Sequence, residues 1–286
     1  MPLDKSAIGD VTDTAAWVAT YRARETLRPD ALFKDPLAAL LAGSHGEAIA
    51  NQMPSSGADW YVVIRTCIID AFILASIKEG VDTVINLGAG LDTRPYRLDL
   101  PRELLWIEVD FPKIVEQKTQ TLHNQTANCR LERFALDLSR HMERQKFFAA
   151  INARSKKVLV LTEGLLPYLT EDQVLSLGKD LTLNSNFHLW IVDYFSPQFM
   201  YVMRRGKQKK QLQNAPFLFN PANWEAFFSN ANWNLKDMQF IAPTARRLGR
   251  EPPFPGPLKL FFKLLPGPLM RRLDEMSGFA LLEVKR

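Results

Sequence analysis

The sequence predicts an α/β fold in which short, buried strands form a parallel sheet and alternate with helices. Three observations lead to this prediction. The stretch before residue 80 has helical patterns, and short apolar runs alternate with helical stretches from residue 81 onward. The first apolar run also ends in a Gly88-Ala89-Gly90 turn, which is typical of a strand that leads into a helix.

The first part of the chain is predicted to contain three helices. The first covers 14–27, and Asp35 with Pro36 supplies the N-cap and first position of a second helix over 37–42. The third helix covers 59–78, where apolar residues such as Ile64 and Ile68 recur at helical spacing.

From residue 81 the predicted elements alternate. Strands followed by helices form a parallel sheet joined by right-handed crossovers. Strands are predicted at 82–87, 104–109, 130–136, 157–162 and 188–194, with helices at 111–123, 139–153 and 171–183 between them. After residue 195 the alternation ends, and we expect a helix at 221–231, a strand at 234–241 and a last strand at 279–285.

Two segments interrupt this pattern, at about 196–220 and 242–277. The first contains the basic run Arg204–Lys210, which is either a solvated segment or a contact for an acidic substrate or partner. The second is rich in Pro, Phe and Leu, and its prolines exclude a continuous helix. It is interpreted as a loop packed on the domain, as a flap over an apolar substrate, or as a membrane-surface segment.

Composition limits the class of protein. A chain of 286 residues with 47% hydrophobic and 23% charged residues fits one globular domain, and its net charge of +5 is weak support for an acidic partner. We expect neither a membrane span nor a signal peptide, and no nucleic-acid motif occurs. Cys67 and Cys129 stand far apart without a motif, which favours reduced thiols and a cytoplasmic protein. The histidines lack ligand spacing, so no metal site is predicted.

The segment from Val84 to Asp110 indicates an adenosine-type ligand. Small residues at the turn let a ligand approach the backbone, and Asp110, 20 positions after Gly90, can accept hydrogen bonds from ribose hydroxyls. A dinucleotide motif requires a third glycine where this chain has Thr93, and the P-loop ending is also missing. The pattern favours a nucleoside without a pyrophosphate, such as S-adenosylmethionine. The alternative is an ordinary strand-to-helix turn with a coincidental aspartate.

Acidic residues also follow the next two predicted strands. Asp137, beside Leu138, could accept from an adenine amino group, and Glu163 follows the fourth strand. Ligands bind at the carboxyl ends of strands in open parallel sheets, so these acids are expected near one site. Each one alone could equally be a surface residue or a helix cap, Asp137 in particular.

Arg65 lies on the apolar face of the third helix, four residues after Tyr61. A desolvated guanidinium needs an anionic partner. That partner is either a ligand carboxylate gripped by two hydrogen bonds or an internal acid, namely Asp70, Asp92 or Glu163.

Several of these segments resemble one family. NLGAGLDTRPYRL, EVDFP, ALDL and TEGLLPYL, with RARETLRPDALFKDPLA and RTCIID before them, are similar to the leucine carboxyl methyltransferase-like group. That group includes protein phosphatase methyltransferases and small-molecule O-methyltransferases. The similar segments run from about residue 14 to residue 195, and only the architecture matches beyond residue 200.

The resemblance implies a class I methyltransferase fold. Its Rossmann-like sheet would have seven strands, mostly parallel with the last antiparallel, and residues 1–80 would form a helical cover on a core of 81–286 in one structural domain. It also implies that the cofactor is S-adenosylmethionine. The methionine end would be held by Arg65, Gly88, Ala89 and Gly90, the ribose by Asp110 beside Phe111, and the adenine by Asp137 and Leu138, with Glu163 near the methionine or the acceptor.

The acceptor is the least determined part. An acceptor carboxylate is already ionised at pH 7 and needs no base, whereas a hydroxyl does, and no histidine is placed to serve. We therefore expect an O-methyltransferase that acts on a carboxylate or a hydroxyl of a small molecule of polyketide type. The missing base favours the carboxylate, which Arg22 or Arg24 would orient; the role of Tyr168, also a candidate catalytic residue, stays open. The alternatives are methylation of a protein C-terminal carboxylate and a protein that binds the cofactor without catalysis.

Overall fold

The computed structural model describes residues 11–52, 57–203, 216–250, 252, 256–257 and 264–285. The basic run Arg204–Lys210 and most of the Pro-rich stretch at 251–263 therefore lie outside the described residues.

A seven-stranded sheet forms the centre of the molecule, in the order β3-β2-β1-β4-β5-β7-β6. All neighbouring pairs from β3 to β5 are parallel, whereas β7 runs antiparallel to both β5 and β6. The predicted sheet, with its antiparallel last strand, is confirmed. The strands are β1 Thr83–Leu87, β2 Leu105–Asp110, β3 Arg130–Ala135, β4 Val158–Thr162, β5 Phe187–Phe195, β6 Trp233–Phe240 and β7 Ser277–Val284.

The helices of the first half are α1 Val11–Thr26, α2 Ala38–Gln52, α3 Ala58–Lys78, α4 Arg94–Arg97, α5 Pro112–Thr121 and α6 His141–Asn152. A 3-10 turn, Leu166–Tyr168, follows β4, and the remaining helices are α7 Glu171–Thr182, α8 Pro197–Met203, α9 Trp224–Ser229, α10 Ile241–Arg247 and α11 Gly267–Asp274. The long predicted helices lie within a few residues of their predicted positions.

The sheet buries both faces. One face packs Val160, Trp190 and Val192 against helices α6, α7 and α9. The other face packs Leu189 and Ile191 against α3 and α10. Because side chains alternate along a strand, successive residues at the end of β5 also point to opposite faces.

Helix α3 is long and apolar enough, by length and composition, to pass for a membrane span. It is the helix that covers one face of the sheet, and Ile64, Ile69 and Ile73 are completely buried there. A mostly buried core helix meets the same criteria, so the apolar composition of α3 is explained by its packing against the sheet.

Helices α1 and α2 pack against each other, and α1 lies against the glycine turn after β1. A Cβ on Gly46 would stand 2.6 Å from the Ala16 carbonyl oxygen, so the two helices approach closely only because residue 46 is glycine. At the turn, a Cβ on Gly90 would stand 3.5 Å from the Ala15 Cβ. The division of the chain at residue 80 into cover and core stays a prediction.

Two elements differ from their predicted bounds. The second helix continues to Gln52 instead of ending at residue 42, and it does so through a kink at Gly43, whose φ is 58°. A glycine in the left-handed region usually ends a helix, but here buried Ile49 and Ala50 hold a further helical segment. The second is the segment 242–277, where the described residues contain helix α10 at the start and helix α11 near the end. The prolines between these two helices interrupt neither of them.

Candidate functional site

The glycine turn after β1 lies against the end of β2. The backbone N–H groups of Gly88 and Ala89 both donate to the Val109 carbonyl, at 2.8 and 3.1 Å. Gly88 and Gly90 have φ values of 70° and 47°, which L side chains rarely adopt. The turn lies between β1 and β4, where the strand order changes direction, since β2 and β3 follow on one side and β5 on the other. Open parallel sheets bind their ligands at such a switch point.

Asp110 connects β2 with this turn. Its Oδ2 accepts the N–H of Gly90 at 2.7 Å, and its Oδ1 accepts the N–H of Phe111 at 2.7 Å. Burial raises the pKa of Asp110, although both backbone hydrogen bonds favour the charged form. Each carboxylate oxygen has a second lone pair, so Asp110 can still accept from two hydroxyl groups of a ligand.

Three further predicted residues stand at the ends of β2 and β3. Phe111 is 54% exposed, so its ring is available to a ligand. Asp137 Oδ1 accepts from the N–H and the hydroxyl of Ser139, at 2.9 and 2.7 Å, and these bonds lower the pKa of Asp137. Asp137 thus forms a local turn, but it is not the N-cap weighed for it, because α6 begins at His141 with Arg140 as its N-cap residue. Leu138 is half-buried against the apolar core.

Arg65 and Glu163 come together across the end of β4. The Arg65 Nε lies 2.6 Å from the Glu163 Oε1, which is one of the internal partners considered for Arg65. The Nε–H does not point along this line, so it has no hydrogen-bond acceptor among the described residues. Burial opposes the charge of Arg65, but Glu163 and Asp193, with a contribution from Tyr61, together outweigh that effect and raise the arginine's pKa.

Arg94, which sequence reasoning did not select, joins three segments: its own, helix α3 and the segment after β4. Its side chain is 2% exposed and forms ion pairs with Asp70 at 2.6 Å, Asp92 at 2.9 Å and Glu163 at 2.6 Å. Burial opposes the ionised form of Glu163, but Arg94 and Arg65 hold its pKa below the usual value. The acid at the end of β4 is thus fixed as an anion, in the position expected of a site residue.

A second group that sequence reasoning missed surrounds Asp193 near the end of β5. Asp193 is buried, and its Oδ2 accepts the N–H of Gly164 at 3.0 Å. Burial raises the pKa of Asp193 to about 7, against the opposing effects of Arg65 and the Gly164 N–H. The signal in the sequence is an acid within a strongly apolar strand, LWIVDYF, at the same strand-end position as the acids that were selected.

Tyr61 and Tyr168 lie beside Asp193 and Arg65. Burial raises the pKa of both hydroxyls, and the negative charge of Asp193 raises each further. The Tyr61 hydroxyl is buried and has no hydrogen-bond partner among the described residues. Tyr168, predicted as a candidate catalytic residue, is therefore close to this group.

Aromatic rings continue the site beyond β5. Phe195 stacks on Phe199 with ring centres 4.8 Å apart and on Phe217 at 5.7 Å, and Phe217 contacts Tyr168 edge-on at 5.4 Å. All four rings are half-buried. The three stacked phenylalanine rings form an aromatic wall, and Tyr168 stands edge-on to it.

The two predicted arginines of α1 bind other groups. The buried Arg22 donates from Nε to Asp35 at 2.8 Å and from Nη2 to the Leu91 carbonyl at 2.6 Å, which ties α1 to the glycine turn. The Arg24 side chain is 41% exposed and pairs with Glu47 at 2.7 Å. In the structure neither arginine joins Arg65, Glu163 and Asp193.

Other features of the described residues do not add to this site. No group of three or more His, Cys, Asp or Glu side chains among them could hold a metal ion. A cavity of about 610 Å³ lies near the beginning of β4 and β5, lined by Lys157, Lys236 and Lys285 among others. Ligands of open parallel sheets bind at the opposite ends of the strands, and these lysines are hydrogen-bonded to Glu79 and Ser229.

Comparisons with known proteins give one family and one fold. The family model described as leucine carboxyl methyltransferase matches residues 15–182. Two bacterial proteins named "Putative S-adenosyl-L-methionine-dependent methyltransferase" are similar in sequence. The protein of Mycobacteroides abscessus is 33% identical over 59% of this chain and 60% of its own length, and the one of Rhodococcus jostii is 35% identical over 57% and 58%. The chain thus spans about 60% of the length of these curated relatives.

A solved structure extends the likeness in fold. The crystal structure of a DUF574 family protein from Streptomyces avermitilis aligns with a TM-score of 0.58, covering 95% of this chain and 97% of that chain. The sequence identity is only 14%, so this likeness concerns the fold alone.

Proposed function

Because the chain belongs to the leucine carboxyl methyltransferase family, we propose that it is an S-adenosylmethionine-dependent O-methyltransferase. The observation that carries this proposal is the family match over 15–182, which includes every residue that we assign to the cofactor. The class I methyltransferase fold, with its sheet order and single antiparallel strand, is consistent with the same activity.

The groups around the glycine turn fit S-adenosylmethionine. The Arg65 Nε–H is a buried donor without an acceptor among the described residues, which suits a ligand carboxylate, and Glu163 is an anion suited to an ammonium group. Asp110 has lone pairs left for ribose hydroxyls, and Asp137, Leu138 and Phe111 are placed for the adenine. Gly88, Ala89 and Gly90 would let the ligand approach the backbone.

When bound, the cofactor supplies an activated methyl group, so the protein needs mainly to align the acceptor and exclude water. We propose a small-molecule acceptor of polyketide type, which carries a carboxylate or a hydroxyl group. The aromatic wall of Phe195, Phe199 and Phe217 supports an apolar acceptor over a protein C-terminus. We also propose a cytoplasmic location, since Cys67 and Cys129 are both free thiols.

Calorimetry tests the cofactor assignment. We expect the protein to bind S-adenosylmethionine and S-adenosylhomocysteine and not to bind NAD, because the turn lacks the third glycine of a dinucleotide site. Binding of NAD without binding of either sulfur nucleoside would contradict the proposal. Methyl transfer from a labelled cofactor to a panel of small acids and phenols then separates an enzyme from a protein that only binds the cofactor. A base-labile product would identify an ester, and a stable product an ether.

For a carboxylate acceptor, Arg24 and Arg22 stay the proposed orienting groups. The Arg24→Ala variant should then raise the acceptor KM by about tenfold, the effect of losing a charged hydrogen bond of roughly 1.5 kcal/mol. Arg22→Ala should in addition lower stability, because it leaves the buried Asp35 with fewer partners. Steady-state kinetics measure both, and unchanged KM and kcat in both variants would contradict these roles.

A further inference from the structure

Asp193 is the buried acid that the cofactor assignment does not use. We propose that Asp193 accepts the acceptor's proton during methyl transfer, and that the acceptor is an aromatic compound with a neutral hydroxyl group rather than a carboxylate. This inference rests on the proposed methyltransferase function, and it names the acceptor class of the same site.

The position of Asp193 places it on the acceptor side of the site. Apart from Arg65 on α3, the proposed cofactor residues stand at or just after the ends of β1 to β4, whereas Asp193 stands near the end of β5, the next strand across the sheet. It shares its face of the sheet with Leu189 and Ile191, which pack against α3, the helix that carries Tyr61 and Arg65. The Gly164 N–H, at 3.0 Å from Oδ2, holds the carboxyl group toward the end of β4.

The partners of Asp193 differ from those of the neighbouring acid. Glu163 has Arg65 and Arg94 within 2.6 Å, which makes it a fixed anion. Among the described residues, by contrast, no Lys, Arg or His nitrogen lies within the 4.0 Å of an ion pair from the Asp193 carboxylate. A carboxylate that lacks a close cation is a better base, and burial accordingly raises the pKa of Asp193 to about 7.

The groups that face Asp193 can recognise a hydroxyl compound. From α3 these are Tyr61 and Arg65, and from the segment after β4 they are Glu163 and Tyr168. The unpartnered Tyr61 hydroxyl is buried and can donate to an oxygen substituent of an acceptor. The ionised carboxylate of an acid acceptor in the same place would lie beside two acids, Asp193 and Glu163. Repulsion between these negative charges disfavours binding of such an acceptor.

The aromatic wall defines the rest of the acceptor. Phe195 lies two residues after Asp193 and therefore on the same face of β5. It stacks with Phe199 and Phe217 at nearly parallel ring planes, 9° and 14° apart. A planar aromatic ring can extend such a stack of rings, so the chemistry favours a phenol over an aliphatic alcohol.

The reaction balances with these groups alone. The bond between the acceptor oxygen and the methyl carbon forms as the carbon–sulfur bond breaks, and sulfur keeps that electron pair. The hydroxyl proton moves to the Asp193 carboxylate, which later releases it to water. No oxidant or further reactant is required.

The test compares two probes with the same ring system, 2-naphthol and 2-naphthoic acid. Calorimetry measures their binding to the protein saturated with S-adenosylhomocysteine, for the wild type and for Asp193→Asn. We expect wild-type protein at pH 8 to bind naphthol about tenfold or more tightly than naphthoate, the effect of a hydrogen bond to a charged group. Asp193→Asn should lose this preference while its affinity for S-adenosylhomocysteine stays within about threefold.

The pH dependence gives a readout that a merely structural role would not produce. As the pH falls through about 7, Asp193 takes up a proton and its charge is lost, so naphthol binding to wild type should weaken. Asp193→Asn should show no change over this range. As a control, Asp237→Asn removes an exposed carboxylate on β6 and should behave like wild type.

Every other outcome contradicts either the proposed function or the proposed role of Asp193. If wild type does not bind S-adenosylhomocysteine, the proposed function fails and this inference fails with it. If it binds S-adenosylhomocysteine but shows no preference for naphthol, whether it binds both probes or neither, the inference alone is overturned. A preference that survives in Asp193→Asn, or naphthoate bound more tightly, overturns it as well.

Discussion

Replacing Arg94 with methionine is expected to destabilise the protein by about 3–5 kcal/mol, the cost of breaking a buried ion pair by removing one partner. The side chain is 2% exposed and pairs with three acids, Asp70, Asp92 and Glu163. Methionine fills much of the same volume but leaves these carboxylates without their shared cation. Denaturant unfolding monitored by circular dichroism measures the loss.

Arg246→Met is the matched control for this prediction. Arg246 also forms two short hydrogen bonds, to Asp274 at 2.8 and 2.6 Å, but its side chain is 46% exposed. Water screens such a pair, so this variant should lose at most about 1 kcal/mol. Equal losses in the two variants would contradict a special role for burial at Arg94.

The same cluster predicts a pH dependence of stability. Glu163 and Asp92 have pKa values below those of the unfolded chain because Arg94, together with the other cations around them, outweighs the effect of burial. Their contribution is therefore present above pH 4.5 and decreases as the pH falls toward the folded-state values. In Arg94→Met this part of the acid sensitivity should be reduced, provided that the variant folds.

The second large effect is expected for cofactor binding by Arg65→Met. If Arg65 holds the ligand carboxylate, its loss leaves that charge buried without a partner, which typically costs about 2–5 kcal/mol. Affinity for S-adenosylhomocysteine should fall by a factor between about 30 and several thousand. Calorimetry measures this change directly.

Two variants serve as controls for Arg65. Lys78→Met removes an exposed cation from the end of the same helix and should leave the affinity unchanged. Arg65→Lys keeps the charge but not the planar fork, so an intermediate loss is expected. A change below about threefold in Arg65→Met, with the fold intact by circular dichroism, would show that Arg65 is only the internal partner of Glu163.

These experiments also separate the two acceptor classes. Sequence reasoning favoured a carboxylate because it found no histidine placed as a base. The structure changes the basis of that argument, since it contains a buried carboxyl group at β5 that lacks a close cation. An effect of Arg24→Ala would support the carboxylate, and an effect of Asp193→Asn on the naphthol preference would support the hydroxyl.

The order of helices and strands was predictable from the sequence. Hydrophobic periodicity is a local property, and the prolines and glycines that end the elements are visible in the chain itself. The predicted strands agree with the observed ones within one or two residues, whereas the second helix was predicted too short. A glycine marks a helix end only when no tertiary packing supports a helical segment beyond it. Here the burial of Ile49 supports such a segment.

Acids at strand ends could be predicted as a set, because the carboxyl ends of parallel strands meet at one edge of the sheet. The partners of these acids could not be predicted in the same way. Asp137 forms a local turn with Ser139, and Glu163 pairs with an arginine 69 positions away. Asp193 lies in a strand so apolar that the sequence did not distinguish a site residue from a core position.

By itself, the sequence determined the α/β architecture, the glycine turn, the acid at the end of β2 and the family to which the chain belongs. These features depend on residue types at short spacing, where the backbone geometry leaves few alternatives. Only the tertiary structure decided that Arg65 meets Glu163, that Arg94 links three acids, and that Asp193 is buried beside Tyr61. Such pairs join distant segments, and the charge of each group depends on how much water its neighbours exclude, which no local pattern encodes.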